Sequence, residues 1–170
     1  MMVPGRIAAS YLALILAACA GRQDQISSLP AVEGPLECVP YARAVSGIEL
    51  SGDAWSWWRA AEGRYQRGTE PALGAVLVFS RTNRLPRGHV AVVTAVEGPR
   101  EIRIAHANWI PGRVTEDVSI IDVSAANNWS AVRVFSVDRG GYGATYRTDG
   151  FIYRAPAVAG APTVGARIAA

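Results

Sequence analysis

The sequence predicts an α+β fold in which N-terminal helices pack on an antiparallel sheet of about five to six strands. Helical signals fill the first third of the domain, and short apolar or alternating segments joined by turns fill the rest. The chain has 170 residues, which is room for one domain of ordinary size. Its 50% apolar and 18% charged residues give a globular composition.

The first predicted helix begins at Cys38. Pro40 lies in its first turn, where the missing N–H loses no hydrogen-bond partner. Ala42 and Val45 follow Cys38 at the spacing of a core-facing stripe, and Gly47 is a suitable helix end.

A second helix is predicted over residues 54–62, with Asp53 as its N-cap. At helical spacing, Trp55 and Trp58 share the face that we expect to enter the core. Trp57 points elsewhere and is expected to be exposed.

Strand signals occupy the remainder of the domain. The predicted strands are residues 75–79, 89–96, 101–108, 118–123, 131–137 and 151–154.

The second and third of these strands are predicted to form a hairpin whose four-residue turn pairs Val96 with Glu101. Counting back from the turn places His89 opposite Asn108, with His106 on the same face. Directly opposed Cβ atoms lie about 5 Å apart and diagonal ones about 7–8 Å, so the His89 ring can reach either partner. A register slip of one residue would move one strand's set to the other face.

The N-terminus has the pattern of an export signal. Residues 7–18 form an apolar stretch that is too short to span a bilayer but fits a secretory segment. Leu-Ala-Ala-Cys at 16–19 resembles a bacterial lipobox, which implies a diacylglycerol joined to Cys19. Ala20, where inner-membrane lipoproteins commonly have Asp, suggests the outer membrane, facing the periplasm. An ordinary signal peptide with an incidental Cys is the alternative.

We therefore divide the chain into four parts. They are a signal peptide (1–18), the lipidated Cys and a flexible tether (19–36), the domain (37–154) and a disordered Ala/Pro/Gly tail (155–170).

With Cys19 lipidated, Cys38 is the one free thiol, and a helix N-terminus favours its reactive thiolate form. The alternative is a buried structural Cys, since free Cys packs as a small hydrophobe. Both His residues on one face favour a nucleophile with a base and an orienting group. His89 would take the Cys38 proton, and His106 and Asn108 compete to hold the His89 ring, with His106 favoured.

Several classes of protein are excluded or disfavoured by composition. A net charge of +3 is too small to indicate a nucleic-acid partner. Two Cys and two His exclude a zinc finger or a disulfide-stapled fold. We expect no metal, no cofactor and a monomer.

Five segments, in this order and spacing, resemble one family. They are Glu-Cys-Val-Pro-Tyr-Ala at 37–42, Gly-Asp-Ala-Trp at 52–55, Pro-Ala-Leu-Gly-Ala-Val at 71–76, Gly-His-Val-Ala-Val-Val at 88–93 and His-Ala-Asn at 106–108. They are similar to the CHAP domain, a cysteine, histidine-dependent amidohydrolase/peptidase of the papain-like superfamily.

The resemblance implies that Cys38 is the nucleophile and His89 the base, acting on peptidoglycan. Family members usually carry Glu or Asp where His106 stands, with Asn two residues on, at Asn108. The implied reaction is cleavage of the muramoyl–L-alanine amide or of a bond within the stem or cross-bridge peptide.

Three functions follow from these observations. The first is a membrane-anchored cell-wall hydrolase. The second is a non-catalytic peptidoglycan-binding or scaffolding lipoprotein with a degenerate site, which the missing acid at His106 favours. The third is a secreted antibacterial effector, which the lipobox disfavours.

Overall fold

The computed structural model describes residues 36–156 of the chain. The predicted signal peptide, Cys19, nearly all of the tether and nearly all of the tail lie outside the described residues. Within the described part, no helix has the length and apolar character needed to cross a membrane.

The described residues form a few short helices and seven strands. The helical elements are α1 (Cys38–Ser46), a 3₁₀ turn (Ala54–Ser56), α2 (Trp57–Ala60) and a second 3₁₀ turn (Val137–Arg139). The strands are β1 (Tyr65–Gly68), β2 (Val76–Phe79), β3 (His89–Gly98), β4 (Glu101–Ala107), β5 (Val114–Asp122), β6 (Ala131–Ser136) and β7 (Gly141–Pro156).

The strands form an antiparallel barrel. Their order is β1-β7-β2-β3-β4-β5-β6, and β7 also pairs with β6, so six strands close on themselves while β1 lies outside β7. The predicted antiparallel sheet is confirmed, but it has seven strands rather than five to six, and neither β1 nor the closure into a barrel was predicted.

Closure depends on the 16-residue strand β7, of which the sequence analysis recognised only residues 151–154. Its first half pairs with β6 and its second half with β2 and β1. Gly150 lies between the halves with φ of +125°, and a Cβ there would come within 2.6 Å of the Gly68 carbonyl oxygen. The glycine therefore permits the close approach of β1 to β7.

Two layers of apolar side chains hold the barrel together. The interior cluster includes Leu77, Phe79, Ala91, Val93, Ile102, Ile104, Ile120, Val132, Val134 and Phe151. A second cluster joins the opposite faces of β2 and β3 to the helical segment and includes Ala42, Ile48, Leu50, Trp57, Val76, Val78, Val90 and Val92. Because both of their faces are covered, β2 and β3 read as continuous apolar runs.

The hairpin turn differs from the predicted one. Glu101 pairs with Gly98 rather than with Val96, because β3 extends two residues further and the turn is shorter. Irregularities along the ladder then bring Val93 opposite Ile104, the pair counted from the sequence. His89 and His106 therefore lie on one face, as predicted, although the predicted turn was wrong.

The predicted directions of the Trp side chains in the second helix were wrong. Trp57 is fully buried, while Trp55 is 36% exposed. The segment begins as a 3₁₀ turn over Ala54–Ser56, so a single α-helical period does not run through it. Asp53 stands at the N-cap position without a side-chain capping bond, and its carboxylate pairs instead with Arg87 at 3.0 Å.

We predict that Gly88→Ala destabilises the fold more than Gly112→Ala. Both glycines have φ near +70°, at 69° and 70°. Only at Gly88 would the new Cβ meet a neighbour, the Trp55 backbone nitrogen, at 2.6 Å. Gly112→Ala should lose about 1–2 kcal/mol of unfolding free energy from backbone strain alone. Urea unfolding measures both losses, and equal losses would contradict the close approach.

Candidate active site

A cavity of about 810 Å³ lies where α1 meets the start of β3. Its lining includes Cys38 and His89, the two residues to which the sequence assigned nucleophile and base. Three loop segments supply most of the remaining wall, at residues 52–54, 84–88 and 108–109. The fold therefore brings the thiol and one imidazole to the same concave surface.

The first residue of α1 is Cys38, which is partly buried against the β2–β3 layer. Burial raises the pKa of its thiol above the ordinary value of 9.0, and the Glu37 carboxylate adds to that rise. The backbone amides of Val90 and Val39 oppose it with smaller effects. The expected stabilisation of the thiolate by the helix N-terminus is therefore outweighed, and the resting group is a thiol.

His89 opens β3, on the strand face that continues into the barrel interior through Ala91 and Val93. It is 4% exposed and packs edge-on against Phe79 and Trp109. Its Nε2 lies 3.0 Å from Nδ1 of His106. With Nε2 engaged, Nδ1 is the nitrogen that remains for a proton from the thiol.

His106 lies on β4 with 1% of its surface exposed. Its ring stacks on Trp109 with an interplanar angle of 23°. Nε2 of His106 is buried and has no hydrogen-bond partner among the described residues. The structure thus places His106 in the position from which it can orient His89.

The hydrogen bond between the two imidazoles has two possible directions, and only one suits a base. If His106 Nδ1–H donates, His89 carries its own proton on Nδ1 and cannot accept another. If His89 Nε2–H donates, its Nδ1 is free to accept a proton, and His106 holds its hydrogen on the unpartnered Nε2. Base catalysis therefore requires the second direction.

Both imidazoles are neutral at neutral pH. Burial lowers the pKa of His89 well below 6.5, and the neighbouring His106 lowers it further. Burial also lowers the pKa of His106, to about 3. An imidazolium is disfavoured here because the site offers little solvent and no carboxylate at the orienting position.

Asn108, the other predicted orienter, does not bond to His89. Strand β4 ends at Ala107, and Asn108 adopts a left-handed φ of 61°, which takes it out of the alternating face. Its Nδ2 donates to Glu37 Oε2 at 2.9 Å, and its Oδ1 accepts from the Gly112 amide at 2.9 Å. Asn108 therefore ties the loop after β4 to the residue before Cys38.

Glu37 and Trp109 also belong to this site, and neither was predicted from the sequence. Glu37 lay inside a recognised segment, but the strand count paired Asn108 with His89 and so hid its true partner. Trp109 contacts both histidine rings and follows the recognised segment directly. Among residues 36–156, no group of three or more His, Cys, Asp or Glu side chains could hold a metal ion.

Residues 30–108 match the family model described as the CHAP domain. The matched segment includes Cys38, His89 and His106 and ends before β5. No curated protein matches the chain.

We predict that the two buried imidazoles make stability fall as pH falls. In the unfolded chain both protonate near pH 6.5, but in the folded chain they remain neutral, His106 down to about pH 3. Below pH 6.5 the unfolded state therefore binds more protons, and each buried His contributes a slope of about 1.4 kcal/mol per pH unit.

Urea unfolding between about pH 6 and pH 5 measures this slope. His106→Asn should reduce it by roughly the share of one group, whereas Asn108→Ala, which keeps both imidazoles, should leave it unchanged. A slope that His106→Asn does not alter would show that His106 is not held neutral.

Proposed function

This chain contains a CHAP domain, and on that premise we propose that it hydrolyses an amide bond of peptidoglycan with Cys38 as nucleophile. CHAP domains are generally amidohydrolases or peptidases, and the family points to a cell-wall-associated protein that acts on peptidoglycan. The observation that carries the proposal is the 3.0 Å contact between His89 Nε2 and His106 Nδ1, beside a cavity that Cys38 also lines.

The reaction divides into two stages around one thioester intermediate, and in each stage His89 takes up one proton and returns it. His89 Nδ1 takes the proton of the Cys38 thiol, and the sulfur attacks the carbonyl carbon of the scissile amide. As the C–N bond breaks, His89 returns the proton to the departing nitrogen and leaves a thioester on Cys38. His89 then takes a proton from water, whose oxygen attacks the thioester. As the C–S bond breaks, the carboxylic acid is released, and His89 returns its proton to the Cys38 sulfur.

His106 acts in this scheme as a neutral orienting group. It accepts the His89 Nε2–H and so keeps Nδ1 available as the base. It carries no negative charge, and therefore stabilises the imidazolium of His89 less than a carboxylate would. With the pKa of Cys38 raised and that of His89 lowered, the resting pair is thiol and neutral imidazole. We infer that the ion pair of Cys38 thiolate and His89 imidazolium forms only as substrate reacts.

The same features favour one competing function, a non-catalytic wall-binding protein. A thiol whose pKa is raised and an orienting group without charge would also be found in a site that has lost its chemistry. Such a protein would keep the cavity of about 810 Å³ for a wall fragment and would not cleave it. Hydrolysis of peptidoglycan by wild type, and its loss in Cys38→Ala, would distinguish the enzyme from the binding protein.

We extend the proposal to location and to the bond cleaved. A lipid anchor at Cys19, supported by the Leu-Ala-Ala-Cys pattern, would hold a monomeric enzyme at the outer membrane, facing the periplasm. The tether of residues 19–36 would let the domain reach the wall. Both the muramoyl–L-alanine amide and the peptide bonds of the stem suit the proposed mechanism.

We predict that Cys38→Ala and His89→Ala each abolish release of soluble muropeptides from purified peptidoglycan. Mass spectrometry of the products identifies the bond: intact stem peptides indicate an amidase, and shortened stems indicate an endopeptidase. Cys38→Ala should leave the thermal midpoint within a few degrees of wild type, because a methyl in place of a thiol leaves only a small cavity. Hydrolysis that survives in Cys38→Ala would exclude the thiol mechanism.

We predict that His106→Ala lowers the hydrolysis rate by about 10²–10⁴-fold, while the matched variant Asn108→Ala costs less. The reason is that His106 holds the base directly, whereas Asn108 bonds to Glu37. His106→Glu should retain or raise the rate, because a carboxylate stabilises the His89 imidazolium.

The pH dependence of Cys38 alkylation separates positioning from a general loss of structure. His106→Glu should shift alkylation to lower pH than in wild type, and His106→Ala should shift it to higher pH. A larger loss of rate in Asn108→Ala than in His106→Ala would reassign the orienting role to Asn108.

A further inference from the structure

Most charged side chains around the Cys38 cavity are already engaged. The Glu37 carboxylate accepts the Asn108 hydrogen bond, and Asp53 pairs with Arg87 at 3.0 Å. Arg84 also lines this cavity and has no hydrogen-bond or ion-pair partner among the described residues. Among the described residues, it is therefore the one charged side chain of this lining without a hydrogen-bond or ion-pair partner.

Arg84 stands on a fixed backbone. Thr82 and Leu85 exchange backbone hydrogen bonds at 3.1 Å in both directions, so Arg84 lies at the tip of a closed turn. Leu85 packs against the barrel interior and anchors that turn. The guanidinium is thus exposed on a side chain whose starting point is rigid, which lowers the entropy lost when it binds a ligand.

A second cavity, of about 540 Å³, meets the first at this point. Arg84, Trp109 and Tyr146 line both cavities. The other charged residues of the second cavity are Asp138 and Arg139, so its lining carries a net positive charge. Most of that lining follows Asn108 in the chain and lies beyond the segment that matches the CHAP domain.

We propose that Arg84 binds a carboxylate of the wall peptide where the two cavities meet. This inference rests on the proposed function, and it names the feature of the substrate that the site selects. A planar guanidinium matches a carboxylate with two parallel hydrogen bonds. Trp109 and Tyr146 supply apolar walls for the part of the wall peptide that carries the carboxylate. The second cavity holds the part of the wall peptide beyond that carboxylate.

The test compares two synthetic muramoyl tetrapeptides, one with free carboxylates and one with every carboxylate converted to a carboxamide. Wild type should show a kcat/KM about tenfold to a hundredfold higher on the free form, the range of a charge-assisted bond. Arg84→Gln should lose most of that preference through a higher KM. Arg81→Gln is the control, since Arg81 lies on the same loop over Trp55 and outside both cavity linings.

An unchanged preference in Arg84→Gln, or an equal loss in Arg81→Gln, would overturn the inference. Failure of the proposed function gives a different result, namely that wild type cleaves neither peptide. Calorimetry with Cys38→Ala then decides the question by binding alone. Tighter binding of the free form that disappears in Cys38→Ala/Arg84→Gln supports the carboxylate site, and equal binding of both peptides overturns it.

Discussion

A hydrogen bond between two neutral imidazoles, closed off from water at one end of a barrel, fixes what this site can do. It joins His89 Nε2 to His106 Nδ1 at 3.0 Å, with Trp109 packed against both rings. Burial lowers the pKa of each group, so neither carries charge at rest. This hydrogen bond sets the orientation and the tautomer of His89 but places no negative charge beside it. In the proposed mechanism, the Cys38 thiol therefore loses its proton only as the substrate reacts.

Opposite faces of strand β3 position His89 and Cys38. The interior face of β3 and β4 carries the imidazoles, and the opposite face of β3 packs on the helical segment that begins with Cys38. A second contact lies across the cavity, where Asn108 bonds to Glu37. Cys38 and His89 are therefore held by separate layers of the fold that share strand β3.

The sequence predicted the parts of the site that follow from alternation. His89 and His106 share a face because side chains alternate with a period of two, and a ladder irregularity compensated for the incorrect turn. The position of Asn108 was predicted wrongly because its backbone is left-handed, whereas alternation describes only extended strands. The thiol pKa was predicted in the wrong direction, because the helix N-terminus is visible in the sequence but burial depends on tertiary packing. For the same reason Trp57 was expected outside and lies in the core.

Strand β7, the last element of the described residues, closes the barrel. It joins β6 to β2 and carries β1 on its outer side, so the free edges of β2 and β6 are closed only when β7 pairs with both. Its contacts span much of the chain, as in Leu77 opposite Phe151, and pairings of such high contact order form slowly. The thiol near the beginning of the domain thus obtains a closed barrel beside it only after residues 141–156 are in place. A growing or truncated chain that lacks them would carry Cys38, His89 and His106 without the closed barrel beside them.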